Sequence, residues 1–267
     1  MKKSLGFVLV YFGCQILGAI VGMICCVIYL LATKQTLDME NVQSMSLAPA
    51  LFLGIVFMAL FLGLTNHISK EKVTWSPVSP KYLVLAVILY VSFILLIDFL
   101  LSHMSWLPNI MEDTFDVLQS GWLGILCIAL LGPILEELLF RGAITKELLK
   151  KYSPTKAIIF SALIFGIFHI NPIQVVSATL IGLVLGWIYY KTASLIPCIL
   201  LHVVNNSLSV YLNLKFPDVE STADLWGNNT YYYLMLGGAA VIFVVVLLLM
   251  KRTTVPYNWK ETESIEG

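Results

Sequence analysis

The chain has 267 residues, of which 59% are hydrophobic and 12% charged, and its sixteen basic and sixteen acidic side chains cancel. The mean hydropathy is +0.88, whereas a soluble domain carries about 25% charged and about 45–50% apolar residues. This excludes an ordinary soluble protein, a disordered chain and a nucleic-acid binder, and leaves an all-α polytopic membrane protein. The apolar stretches run unbroken instead of alternating at every second residue, which excludes a transmembrane β-barrel.

A membrane-crossing helix needs ~20 mostly apolar residues. From the N-terminus, eight stretches are read as spans: residues 5–31, 47–64, 82–101, 121–140, 157–170, 173–190, 194–214 and 231–250. The first run is too long for the apolar core of a signal peptide, so it is expected to be a retained span. Asn171-Pro172 reads as a tight turn between two antiparallel helices. The polar tail after Lys251 is expected to be disordered. Cys14, Cys25, Cys26, Cys127 and Cys198 lie in apolar stretches without CxxC spacing, and read as small hydrophobes rather than disulfide or metal residues.

Lys and Arg mark the cytoplasmic side of a membrane protein. They cluster before the first span, between spans two and three, four and five, and six and seven, and after the eighth. The alternate loops are acidic: 103–120 holds Glu112, Asp113 and Asp116, and 215–230 holds Asp218, Glu220 and Asp224 against Lys215. The pattern predicts about eight spans in the plasma membrane with both termini cytoplasmic. Three domains are expected: helices one to three over 1–120, a catalytic core over 121–214, and a last helix with its tail over 215–267.

Ionised side chains in mid-bilayer are costly and are functional candidates by default. Glu136, Glu137, Arg141, His169 and His202 are of this kind; Asp98, near an outer span end, is expected to be solvated. Glu137 and Arg141 are i and i+4 with the acid first, the favourable order for pairing. Glu136 is turned about 100° from Glu137 around the helix, so the two acids are expected to do different jobs. His202 and Asn206 are again i and i+4. At ~1.5 Å per residue, these residues lie about 14–22 Å from the nearest basic residue on the cytoplasmic side. That places two acids, two imidazoles and an amide in one slab near mid-membrane, provided the fourth helix continues past Arg141 to about Leu149. A shared intramembrane polar cavity is the expectation. Tyr189, Tyr190 and Tyr231–Tyr233 are read as aromatic belts, and Gly182 and Gly186 as sites of close helix packing.

Such a set suits hydrolysis. A carboxylate and an imidazole can hold a water and take its proton, and a His with an Asn can donate to the oxyanion of a tetrahedral intermediate. No covalent nucleophile of comparable quality stands out, and HExxH is absent. Glu with two His is also a zinc ligand set, and metal-free water activation is equally compatible.

The motifs EExxxR at Glu136–Arg141, FxxxH at Phe165–His169 and HxxxN at His202–Asn206, in this order on successive spans, resemble the CAAX protease and bacteriocin-processing (CPBP, or Abi) family of intramembrane endopeptidases. The resemblance covers about a third of the chain. It implies a glutamate-dependent protease of eight helices whose cavity opens toward the cytoplasm. Glu136 and His169 would activate the water, Glu137 and Arg141 would orient site and substrate, and His202 and Asn206 would form the oxyanion hole. Members are often described as metalloproteases. The expected partner is a peptide or lipidated-protein substrate in the lipid bilayer, with no nucleic acid. Two other readings compete: a non-catalytic bacteriocin-immunity or scaffold protein on the same helices, and an ion-coupled transporter, which the absence of motifs from the first half disfavours.

Overall fold

The computed structural model describes residues 2–68, 70–219, 221–227, 229–253, 257 and 259. The helices are α1 (Lys2–Ala32), α2 (Met39–Leu64), α3 (Pro80–Ser102), α4 (Glu112–Gln119), α5 (Trp122–Lys151), α6 (Pro154–Phe168), α7 (Pro172–Thr192), α8 (Ile196–Lys215), α9 (Thr222–Trp226) and α10 (Thr230–Thr253). No strand occurs among the described residues. Six of these helices, α1, α2, α3, α5, α7 and α10, are long and apolar enough to cross a bilayer, as in a multi-pass membrane protein. Of the eight expected spans, two fall short of this length-and-composition measure, for two physical reasons. Helix α6 has only 15 residues, and α8 is broken up by His202, Asn205, Asn206, Ser207 and Asn213. The polar tail falls almost wholly outside the described residues.

The chain forms two compact units. The first comprises Met1–Ser69, Met111–Ala143 and His202–Leu214; the second comprises Lys70–Ile110, Ile144–Leu201 and Lys215–Gly267.

In the first unit, α1 and α2 form an antiparallel hairpin. Asp38 caps α2 by accepting from Asn41 N–H at 2.8 Å. Hydrophobic exclusion does not press helices together in lipid, so close backbone packing must. Gly18 meets that need: a Cβ there would lie 2.5 Å from the backbone N of Gly54. Further along, Cys26 and Leu30 close on Val42. Helix α2 also packs on α4 and on the first half of α5.

In the second unit, Ser79 caps α3 by accepting from Tyr82 N–H at 3.2 Å, and Pro80 starts the helix. Helix α3 packs against α10, where Phe93 and Phe243 stack with centroids 5.0 Å apart. Helices α6 and α7 form the expected hairpin at Asn171-Pro172, with Ile170 in the left-handed region at φ 62°. The turn is more than a linker. Asn171 is fully buried, its amide donates to Asn109 Oδ1 at 2.8 Å, and its oxygen accepts from Ile110 N–H at 3.1 Å. Gly182 permits the close packing expected of it, since a Cβ would lie 3.0 Å from Ala162 Cα; at Gly186 a Cβ would make only ordinary contact with Ile158.

Three readings on this unit need correction. Asp98 is not simply solvated: it is half-buried and accepts from Thr222 N–H at 2.9 Å at the start of α9. Tyr189 is not a belt residue but is buried beneath Trp259, and Tyr232 is buried against Phe99. Tyr231 and Tyr233 are exposed, as a belt requires. The five cysteines are free thiols, and Cys26, Cys127 and Cys198 are buried as expected, whereas Cys25 is exposed.

Candidate functional site

The site is built in the first unit on α5 and α8. Helix α5 runs to Lys151, so the continuation past Arg141 that the depth argument needed is present. It is not a regular α-helix. Cys127–Leu131 and Leu138–Thr145 are widened, π-type turns, a departure that often marks functional positions. The first has a chemical cause. Pro133 has no N–H to return to Ala129, and the Gly132 N–H reaches back to Cys127 O instead of Ile128 O. Helix α8 engages the two carbonyls passed over: Asn206 Nδ2 donates to Ile128 O at 3.2 Å, and Ser207 Oγ donates to Ala129 O at 3.3 Å. A local irregularity of α5 thereby fixes the register of α8.

Two turns further on, α5 presents Glu136 and Glu137. Glu137 and Arg141 have 0% and 1% side-chain exposure, and Arg141 Nη1 donates to Glu137 Oε1 at 2.8 Å. The same oxygen accepts from His202 Nδ1 at 2.7 Å. A carboxylate oxygen only accepts, so the proton of that bond sits on Nδ1, and the ring is turned with Nε2 toward Glu136, 3.7 Å from its Oε2. Glu136 is partly exposed at 16%. The two acids do differ in environment, as their angular separation implied: Glu137 is locked between two donors, whereas Glu136 faces the far side of the imidazole and is slightly exposed. Two acids, one guanidinium and one imidazole leave no net charge when His202 is doubly protonated. A buried cluster tolerates charge only when it is balanced in this way.

Thus four of the sequence-selected residues, Glu136, Glu137, Arg141 and His202, meet directly. Asn206 lies one turn beyond His202, and its Oδ1 also accepts from Asn205 Nδ2 at 3.3 Å. His169 belongs to the second unit, where it caps the C-terminal end of α6. Its Nδ1 lies 2.8 Å from Phe165 O, a pure acceptor, so Nδ1 carries the proton and Nε2 is the basic nitrogen of the neutral ring. Phe165 meets the imidazole edge-on with centroids 4.9 Å apart. That gives the Phe of FxxxH a physical role: its ring and its carbonyl set the orientation and tautomer of the histidine.

Among the described residues, no group of three or more His, Cys, Asp or Glu side chains is arranged to hold a metal ion. Glu137 Oε1, already shared by two donors, is poorly disposed to take a cation as well. Ser207 was not singled out from the sequence, because a bond from a serine hydroxyl to a backbone carbonyl carries no sequence signal.

Residues 118–208 match the model of the family described as Type II CAAX prenyl endopeptidase Rce1-like. The matched segment takes in both widened turns of α5 and all seven motif residues. A protein of Bacillus subtilis (strain 168) named "Putative membrane peptidase YdiL" is 32% identical over 104 residues, covering 39% of this chain. The matched stretch spans 43% of the length of that relative, well under two thirds. No solved structure matches.

Proposed function

We propose that the chain is an intramembrane endopeptidase of the CAAX-protease type, hydrolysing a peptide bond of a membrane-associated or lipidated peptide. The observation that carries the reading is the Glu137–His202–Glu136 arrangement inside the Rce1-like segment. One carboxylate is immobilised by Arg141 and orients the imidazole, and the second stands on the other side of the ring and is partly exposed. Glu136 takes the role of general base, polarising a water and accepting its proton as the oxygen attacks the scissile carbonyl. His202 stabilises the oxyanion from Nε2. Because its Nδ1–H is committed to Glu137, it can donate from Nε2 only as the imidazolium, and Glu137 holds that cation in place. Asn206 has one amide hydrogen engaged by Ile128 O and a second to offer the same oxyanion. The proton on Glu136 then passes to the leaving amine. The motif order alone gives His169 the part of a second base. The plasma membrane, with both termini on the cytoplasmic side, is the proposed setting.

The test is cleavage of a fluorogenic C-terminal peptide, prenylated and unprenylated, by purified protein in detergent. Glu136→Gln is expected to lower kcat by at least about 100-fold with an unchanged unfolding midpoint, and His169→Gln to lower it as well. Cleavage at the wild-type rate by Glu136→Gln overturns the mechanism.

A further inference from the structure

Asn205 precedes the motif residue Asn206 and is itself outside the three motifs. Both asparagines and the widened Cys127–Leu131 turn of α5 belong to the first unit. The Asn206 amide is held at both ends. Its Nδ2 donates to Ile128 O at 3.2 Å, and its Oδ1 accepts from Asn205 Nδ2 at 3.3 Å. The two ends of an asparagine amide are alike in shape and opposite in chemistry, one donating and the other accepting. Turned end for end, Asn206 would set Oδ1 against Ile128 O, acceptor against acceptor, and Nδ2 against the Asn205 amide nitrogen, donor against donor. Helix α5 supplies the acceptor. In a regular helix Ile128 O would take the Gly132 N–H, but that N–H goes to Cys127 O. In a π-type turn the carbonyl would take the N–H of residue 133, which is a proline and has none. Gly132 suits the turn as well, since a Cβ there would lie 2.9 Å from Cys127 O.

Resting on the hydrolytic reading above, we propose that Asn205 and the Gly132-Pro133 turn are positioning elements for Asn206, fixing its amide so that the remaining N–H, and not the oxygen, meets the oxyanion. The sign of the amide decides the outcome. A developing negative oxygen is stabilised by an N–H aimed at it and repelled by a carbonyl oxygen in the same place. A swivelled Asn206 would therefore lose a donor and add a repulsion. Ile128 O engages the nitrogen end only, and Asn205 engages the oxygen end. Together they leave one N–H unspent and set its direction. A donor held in this way needs no reorganisation as the reaction proceeds.

Asn206→Ala is expected to lower kcat for the fluorogenic peptide at least about 100-fold. Asn205→Leu should lower it about tenfold and leave KM nearly unchanged. Asn205→Gln keeps a donor on a longer arm and should recover part of the loss, whereas Asn205→Asp has the shape without the donor and should not. In the Asn206→Ala background, Asn205→Leu should have no further effect. Pro133→Ala, which lets α5 return the Gly132 N–H to Ile128 O, should lower kcat in the native chain and not in Asn206→Ala. A peptidyl trifluoromethyl ketone, whose hydrate copies the tetrahedral intermediate, supplies a readout that packing alone would not move. Its affinity should fall in Asn205→Leu by the factor by which kcat falls, while the cleaved product peptide binds as before. Unchanged kcat in Asn205→Leu, or effects of Asn205→Leu and Asn206→Ala that simply multiply, overturns the proposal. Loss of cleavage in Glu136→Gln would then leave the hydrolytic reading standing. Wild-type cleavage by Glu136→Gln defeats that reading and the proposal with it. If Asn205→Leu fails to fold, the contrast between Asn205→Gln and Asn205→Asp decides.

Discussion

At the scale of single residues, the pairing of Glu137 with Arg141 was legible because it is local, one turn along a helix. The meeting of Glu137 with His202, 65 positions apart, was legible only as a coincidence of depth. The bond from Asn206 to Ile128 O was not legible at all, because a backbone carbonyl carries no side-chain signal. The burial of Arg141 has an energetic consequence. Arg141→Leu leaves the Glu137 carboxylate buried with one donor fewer, and breaking such a pair costs about 3–5 kcal/mol. The expected result is a large fall in the denaturation midpoint in detergent, partly restored by adding Glu137→Gln. If Arg141→Leu unfolds at the wild-type midpoint, the ion pair contributes nothing to the fold.

At the scale of elements, the sequence placed every long helix and the α6–α7 turn, and it anticipated that α5 continues past Arg141 to about Leu149, two residues short of its end at Lys151. The widened turns escaped it. A proline inside a helix signals a kink but not where the displaced carbonyls will find donors. In α5 they find them on α8. Ser207→Ala is accordingly expected to cost about 0.5–1.5 kcal/mol. Pro133→Ala, which restores an N–H for Ala129 O, should make the loss of the Ser207 hydroxyl nearly neutral. A double-mutant cycle on unfolding free energy reads this coupling directly. Additive effects of the two substitutions would mean that the proline and the serine act separately. Helix α8 was read as a span because its apolar residues outnumber its polar ones, yet its amides and imidazole serve contacts with α5.

At the scale of the whole molecule, composition was sufficient to give the class: an all-helical, multi-pass membrane protein. The apolar outer residues of α1, such as Leu9, Ile16 and Ile28, have the character of a lipid-facing surface. The proposed orientation follows from the distribution of Lys and Arg and is open to a direct measurement. In a background lacking the five native cysteines, a single cysteine at Glu112 should react with a membrane-impermeant maleimide from outside intact cells. One at Lys150 should react only after the cells are opened. The reverse result inverts the topology and puts the basic loops outside.

The brevity of α6 has a consequence for the bilayer itself. Fifteen residues at ~1.5 Å each reach only about 22 Å, against a hydrocarbon thickness of about 30 Å. Its outward row, Ile159, Leu163 and Ile167, is exposed and apolar. Acyl chains packed along that row would have to shorten or splay to match it, so local thinning of the membrane beside this helix is the expected consequence of its length.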